Sequence, residues 1–217
     1  MYIPKAFQQE DPALLDQLIR DFPFGTLVTH TESGLDAQHL PFLLTGDKGN
    51  KVLKAHISKG NLLWKQAQEG SEILAIFHGP NGYVSPNFYP TKQESGKGVP
   101  TWNYAVVHVK GRVRFIQDSE WIRALIDELT VQHEASQDSP WSTADAPVGY
   151  IEKMLPAIVG LEIEVISIAG KWKLSQNQPQ QNQLGVITGL AMQAQPQELT
   201  LVGLMQSQLK KEQATEF

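Results

Sequence analysis

The residues best suited to chemistry sit where a strand edge runs into a turn. In LKAHISKGNLLW, His56 leads into Ser58-Lys59-Gly60-Asn61, and Asn61 opens a helical run. A hydroxyl, an ammonium, a permissive glycine backbone and the unsatisfied N–H groups of a helix start can together hold a phosphate. The plainer reading is a capped turn with a solvated lysine, because the pattern matches no dedicated nucleotide loop. In AQHLPFLL, the polar pair Gln38-His39 interrupts an apolar strand just before Leu40 and Pro41. Proline inside a strand belongs at an edge or a bulge, where the neighbouring backbone is free to meet a ligand; a bulge with no partner is the alternative.

Two further stretches carry usable groups. In VPTWNYAVVHVKGRVR, Trp102 and Tyr104 fall on one side of a strand and Asn103 on the other. An indole and a phenol could flank a flat ring while an amide bonds its edge, although aromatics on a strand also serve as plain core. Lys110, Arg112 and Arg114 alternate along the same strand and form a cationic row of the kind that is usually solvated. In GKWKLSQN, Lys171 and Lys173 share a face, and Ser175, Gln176 and Asn177 add donors and acceptors suited to a polar ligand or to an exposed turn.

Several chemistries are absent from the sequence. Six histidines show no HExxH or other close metal spacing, and there is no cysteine for a disulfide or a thiolate site. No GxSxG elbow is present, and no GxGxxG follows a strand to open a helix. A formal net charge of -5 gives no global attraction to nucleic acid, which leaves only a local basic patch for such contact. The N-terminus has no basic start followed by an apolar run, and no stretch reaches membrane-spanning length, so a soluble, intracellular chain without membrane contact is expected.

These groups need a scaffold, and the periodicities supply one. Asp11-Pro12 followed by Leu14, Leu15, Leu18 and Ile19 predicts a short amphipathic helix ended by Pro23. FGTLVTH, LDAQHLPFLL and KVLKAHIS read as strands, separated by Glu32-Ser33-Gly34 and by Gly46-Asp47-Lys48-Gly49-Asn50, with the first two forming a hairpin. NLLWKQAQEG reads as a brief helix closed by Gly70. Glu72–His78 and Thr101–Phe115 read as strands, and IVGLEIEVISIAG as a last one with a solvated face. Pro86, Pro90 and Pro100 predict that the segment from Val84 to Pro100 is neither central strand nor helix. Its aromatics, with Tyr83 and Trp102 at its ends, suit the wall of a binding site. A helix opens at Asp118-Ser119-Glu120, YIEKMLP is a shorter one, and the tail reads as one or two amphipathic helices. Closing the antiparallel strands into a barrel would remove exposed edges.

The motifs MYIPKAF, PFGTLVT, GLDAQHLPFLL, AHISKGN, GYVSPNFYPTK, VPTWNYAVVH and GKWKLSQNQ together resemble the PaiB family of FMN-binding negative transcriptional regulators. That family is related to the FMN-binding split barrels of the pyridoxamine-phosphate-oxidase type. The family pattern commonly reads ARAN where this chain has Ile57-Ser58-Lys59-Gly60-Asn61, and SQNR where Gln178 follows Asn177. Lys59 replaces the forked guanidinium with a point charge.

The resemblance implies a mainly β, α+β fold: a six-stranded antiparallel split β-barrel of the FMN-binding type with flanking helices. It implies a domain over residues 1–175 and a helical extension over 176–217 packed on it. It further implies a cytoplasmic homodimer with FMN between the subunits, the phosphate held by Ser58, Lys59, Gly60 and Asn61, and the ring edge beside His39, Leu40 and Pro41. His56, Trp102, Asn103, Lys173, Ser175, Gln176 and Asn177 would complete the cofactor site, with the opposite subunit as one source. The function implied is repression of transcription with flavin as a sensory ligand, DNA being met through a small patch or a partner protein. An FMN-dependent oxidoreductase acting on a small molecule is the alternative.

Overall fold

Turn residues and β-branched runs divide the chain into the elements of the computed structural model, which describes residues 1–47 and 49–215. Lys48 of the expected Gly46–Asn50 turn, and Glu216 and Phe217 of the expected extension, lie outside the described residues. The strands are β1 (Gln8–Gln9), β2 (Phe24–Thr31), β3 (Gly34–Pro41), β4 (Leu43–Thr45), β5 (Val52–Ser58), β6 (Glu72–Val84), β7 (Thr101–Ile116) and β8 (Ile158–Lys173). The helices are α1 (Pro12–Asp21), α2 (Leu63–Gln66), α3 (Pro90–Ser95), α4 (Ser119–Glu134), α5 (Tyr150–Met154), α6 (Gln180–Gln193) and α7 (Pro196–Thr215).

The sheet is mainly antiparallel and has eight strands in the order β3-β2-β6-β7-β8-β5-β4, with β1 pairing β8 off that path. This corrects the expected closed, six-stranded barrel on two points. The path is open, with β3 and β4 at its ends. The two added strands are short and have local causes: the chain leaves the ladder at Phe42, after Pro41, so one expected run becomes β3 and β4, and Gln8–Gln9 pairs with Gly170 and Lys171. The β2–β3 hairpin forms as expected, closing at Thr31 and Gly34, where the backbone φ of +111° at Gly34 favours glycine.

The chain packs as two units. One comprises Met1–Leu15, His78–Val107 and Ala169–Phe217, and is called the first unit below; the other comprises Asp16–Phe77 and His108–Ile168. In the second unit the core is built from alternate residues of the strands, with Leu27, Leu53, Ala55, Phe77, Val113, Leu161 and Ile163 fully buried. Phe42 meets Phe77 edge-on at 5.5 Å between ring centroids. Helix α4 starts as the sequence predicts: the Asp118 carboxylate accepts from the Trp121 N–H at 2.7 Å. Its Trp121 indole occupies the space above Gly160, where a Cβ would come within 2.3 Å of the ring.

In the first unit, α6 and α7 bury Val186, Leu190, Leu201 and Met205. Phe88 enters against α6 because Gly189 has no side chain; a Cβ there would lie 2.4 Å from the ring. The segment from Val84 to Pro100 departs from the expectation. Pro86 and Pro90 each open a helical piece, a 3-10 turn over Pro86–Phe88 and then α3. A proline at a first helical position loses no hydrogen bond and has its φ preset, so these prolines start helices instead of forbidding them.

Candidate functional site

The strand edge and the turn singled out in the sequence come together in the second unit. Asn61 donates from Nδ2 to Gln38 Oε1 at 2.8 Å, which ties the turn after β5 to β3. Its own Oδ1 accepts from the Leu63 N–H at 3.0 Å and caps α2. Both ends of the Asn61 amide are therefore engaged within the protein. His39 is exposed, pairs with Thr26 across the hairpin, and holds its Nδ1 at 3.1 Å from Thr26 Oγ1. Leu40 is buried and Pro41 half-buried.

The backbone of the turn does not offer the free N–H groups that the sequence suggests. Lys59 N–H donates to Ala157 O at 2.8 Å, Gly60 N–H to Ser58 Oγ at 3.2 Å, and Asn61 N–H to Ser58 O at 2.9 Å. The Lys59 carbonyl accepts from the Trp64 indole at 3.1 Å. What remains for an anion is a side-chain pair: the Ser58 hydroxyl, free to donate, and the Lys59 ammonium, which has no partner among the described residues. Both residues are exposed. An ammonium and a hydroxyl on consecutive exposed residues suit a phosphate monoester by charge and by hydrogen bonding, without help from a helix end.

His56 belongs to the same strand but to a different environment. It pairs with Gly160 and lies on the face of β5 that also carries Lys54. The Lys54 ammonium sits 6.0 Å from the Trp121 ring and 3.4 Å from the Glu128 carboxylate, so this is the face that α4 covers. His56 Nδ1 is buried without a hydrogen-bond partner, and burial lowers the imidazole pKa below its ordinary 6.5. The ring is therefore neutral at pH 7.

The remaining candidates lie in the first unit. Asn103 is buried and exchanges hydrogen bonds with Ser175: its Nδ2 donates to Ser175 Oγ at 2.8 Å, and the two oxygens lie 3.2 Å apart. Ser175 takes a left-handed φ of 64°, a conformation rarely adopted outside glycine and asparagine. Gln176 is consumed by its own turn, accepting from Leu174 N–H at 2.7 Å and donating to Trp172 O at 2.6 Å. Trp102 is 53% exposed and meets Tyr83 edge-on at 6.0 Å. Lys173 donates to the Thr101 hydroxyl and, at 2.7 Å, to the Trp102 carbonyl. Burial, and then the neighbouring charge of Lys171, lower its pKa.

Lys173, Ser175, Asn103 and the exposed Asn177 line one cavity of about 560 Å³, which residues of the segment from Tyr89 to Thr101 also line. Sequence reasoning picked the first four and the aromatic wall but missed Lys97, Thr101 and Asn182. A lysine between glycines and an asparagine in a glutamine-rich run carry no local signal. Only the pairing of β7 with β8 and the packing of α3 against α6 bring them there.

Comparison of the coordinates finds a similar fold in solved proteins. The FAD and heme binding protein from Mycobacterium smegmatis superposes with a TM-score of 0.57 at 19% identity, covering 76% of this chain and 73% of that one. The flavocytochrome Anf3 from Azotobacter vinelandii gives 0.54 at 15% identity over 79% and 72% of the two chains. Residues 1–167 match the family model described as "Putative FMN-binding domain". The protease synthase and sporulation protein PAI 2 of Bacillus subtilis is 31% identical over 98% of this chain and 100% of its own length. Uncharacterized protein AN0679 of Emericella nidulans is 36% identical over 87% of this chain and 90% of its own. The chain belongs to the PaiB family of FMN-binding proteins, and its cofactor is FMN.

Proposed function

We propose that this protein is a PaiB-like negative transcriptional regulator that senses FMN, acting in the cytoplasm as a homodimer of split-barrel type with the flavin at the seam between subunits. The flavin phosphate is held by Lys59 and Ser58, and the ring edge lies along His39, Leu40 and Pro41. Residues 1–175 form the flavin-binding domain and 176–217 an extension of it. FMN, when bound, supplies one- and two-electron redox chemistry; this chain supplies charge, orientation and exclusion of water.

The observation that carries the reading is Lys59. A lysine with no partner among the described residues follows a serine whose hydroxyl is free to donate, on a turn fastened by Asn61 to the strand that would flank the ring. The end-to-end match to PAI 2 supports a shared role for the whole chain. Among the described residues, no helix is long and apolar enough to cross a membrane. With a net charge of -5, any DNA contact uses a small patch or a partner protein. An electrophoretic mobility assay at low salt, with promoter-containing DNA and the FMN-loaded dimer, tests the regulatory part: retardation that depends on FMN is expected, and no retardation in either state discards direct repression.

An FMN-dependent oxidoreductase acting on a small molecule is the second reading, favoured by the cavity of about 560 Å³. Reduction by NADH or NADPH with added FMN separates the two. Turnover with an acceptor favours the enzyme, and its absence across candidate acceptors favours the regulator.

A further inference from the structure

We propose that the cavity of the first unit is a binding site in its own right for a small oxyanion, a phosphate monoester or a carboxylate, gripped by Lys173 and Lys97. The charge balance of the cavity points there. Its walls carry two lysines and no aspartate or glutamate. The Lys173 ammonium is oriented by two neutral acceptors, Thr101 Oγ1 and Trp102 O, so its position is fixed while its charge stays uncompensated. A lysine has three N–H donors, and one remains for a ligand. Lys97 has no side-chain partner among the described residues and lines the same cavity.

The rest of the lining suits the oxygens of such a ligand. Thr91 and Asn182 form a hydroxyl–amide pair, with Asn182 Nδ2 at 2.9 Å from Thr91 Oγ1. Ser175 and Asn103 form a second pair, buried at one side of the cavity. Together they give both lysines a neutral, hydrogen-bonding surround of fixed geometry. The left-handed Ser175 is held by that pairing, and strained residues of this kind concentrate where a surrounding structure must place a polar group. A volume of about 560 Å³ lies within the range of small-molecule sites. Lowering of the Lys173 pKa by burial and by Lys171 agrees with an uncompensated positive site that an anion would relieve. The inference holds for regulator and enzyme alike.

Isothermal titration calorimetry on the full chain, with and without added FMN, tests it with inorganic phosphate and succinate as separate probes. At least one probe is expected to bind with a dissociation constant in the millimolar range or tighter, weakening as salt rises. Phosphate alone marks a phosphate-monoester site, succinate alone a carboxylate site. Lys173→Met and Lys97→Gln are each expected to weaken the probe by about fivefold or more, and in Lys97→Gln FMN affinity stays within about twofold. Lys97 is exposed, so its variant reports even if Lys173→Met fails to fold. No heat from either probe up to about 10 mM overturns the proposal, as does binding unchanged in Lys97→Gln. FMN affinity that falls together with probe binding also overturns it, because the cavity would then be part of the flavin's site. Probe binding in a protein that takes no FMN leaves the anion site standing and sinks the flavin reading.

Discussion

The amide of Asn61 joins two things at once: its Nδ2 reaches Gln38 Oε1 at 2.8 Å while its Oδ1 takes the Leu63 N–H at 3.0 Å. One side chain thus fastens the turn carrying Lys59 to the strand carrying His39 and fixes the start of α2. Replacing Asn61 by Ala removes a cap and a cross-strand tie, at a cost of about 1–2 kcal/mol in stability. Asn61→Asp keeps the capping oxygen but loses the donor to Gln38. Urea denaturation is expected to rank wild type above Asn61→Asp and Asn61→Asp above Asn61→Ala. Equal midpoints for the two variants would show that the cap contributes nothing, and a wild-type midpoint in Asn61→Asp would show the same of the tie to Gln38.

The Asn103–Ser175 pair makes a second, independent prediction. Both residues are buried, so deleting one partner leaves the other without a hydrogen bond. Asn103→Ala is expected to destabilise by about 1–3 kcal/mol. In Ser175→Gly the relief of a left-handed backbone opposes the lost hydroxyl, and a smaller loss follows. Thermal melts that place Ser175→Gly below Asn103→Ala would contradict this division.

His56 gives the chain a pH dependence whose sign is fixed. Burial depresses its pKa in the folded state below the ordinary 6.5, so the unfolded chain takes up its proton first as the pH falls. The stability associated with neutral His56 is complete above that value and is lost progressively below it. Replacing His56 by Gln, which cannot titrate, is expected to flatten the stability profile as the pH falls below the ordinary histidine value, as followed by urea midpoints at successive pH values. An unchanged slope would place the titration elsewhere.

Trp102 distinguishes the ring-site and dimer readings from plain core. It is 53% exposed and touches Tyr83 edge-on, so it is not part of the interior of its unit. Trp102→Ala is expected to leave chain stability within about 1 kcal/mol while changing flavin affinity or the sedimentation coefficient. A large loss of stability with neither of the other changes would assign it to structure alone.

How much of this was legible in the sequence depends on the range of the interaction. The hairpin of β2 and β3, the Asp118 cap of α4 and the amphipathic face of α1 follow from residues close in the chain, and each was readable. Pro86 and Pro90 read as breakers in the sequence because proline disfavours a helix interior; here each stands at a first turn, where the same φ restriction favours a helix. The corner after β5 stands out by its residue types, but the free backbone N–H groups expected there are engaged within the protein. Acceptors from Ala157 and from Ser58 itself had already taken the backbone N–H groups, and Ala157 lies far along the chain. Lys97 and Asn182 carried no local signal at all, because only tertiary packing turns them toward Lys173.

The account rests on Lys59 and Ser58 gripping the flavin phosphate, and a fluorescence titration of FMN into wild type and Lys59→Ala tests it most directly. Loss of the charged contact is expected to weaken binding by about 1–3 kcal/mol, roughly a fivefold to 150-fold rise in dissociation constant, with one FMN per chain in the wild type. An identical dissociation constant in the two proteins would contradict it.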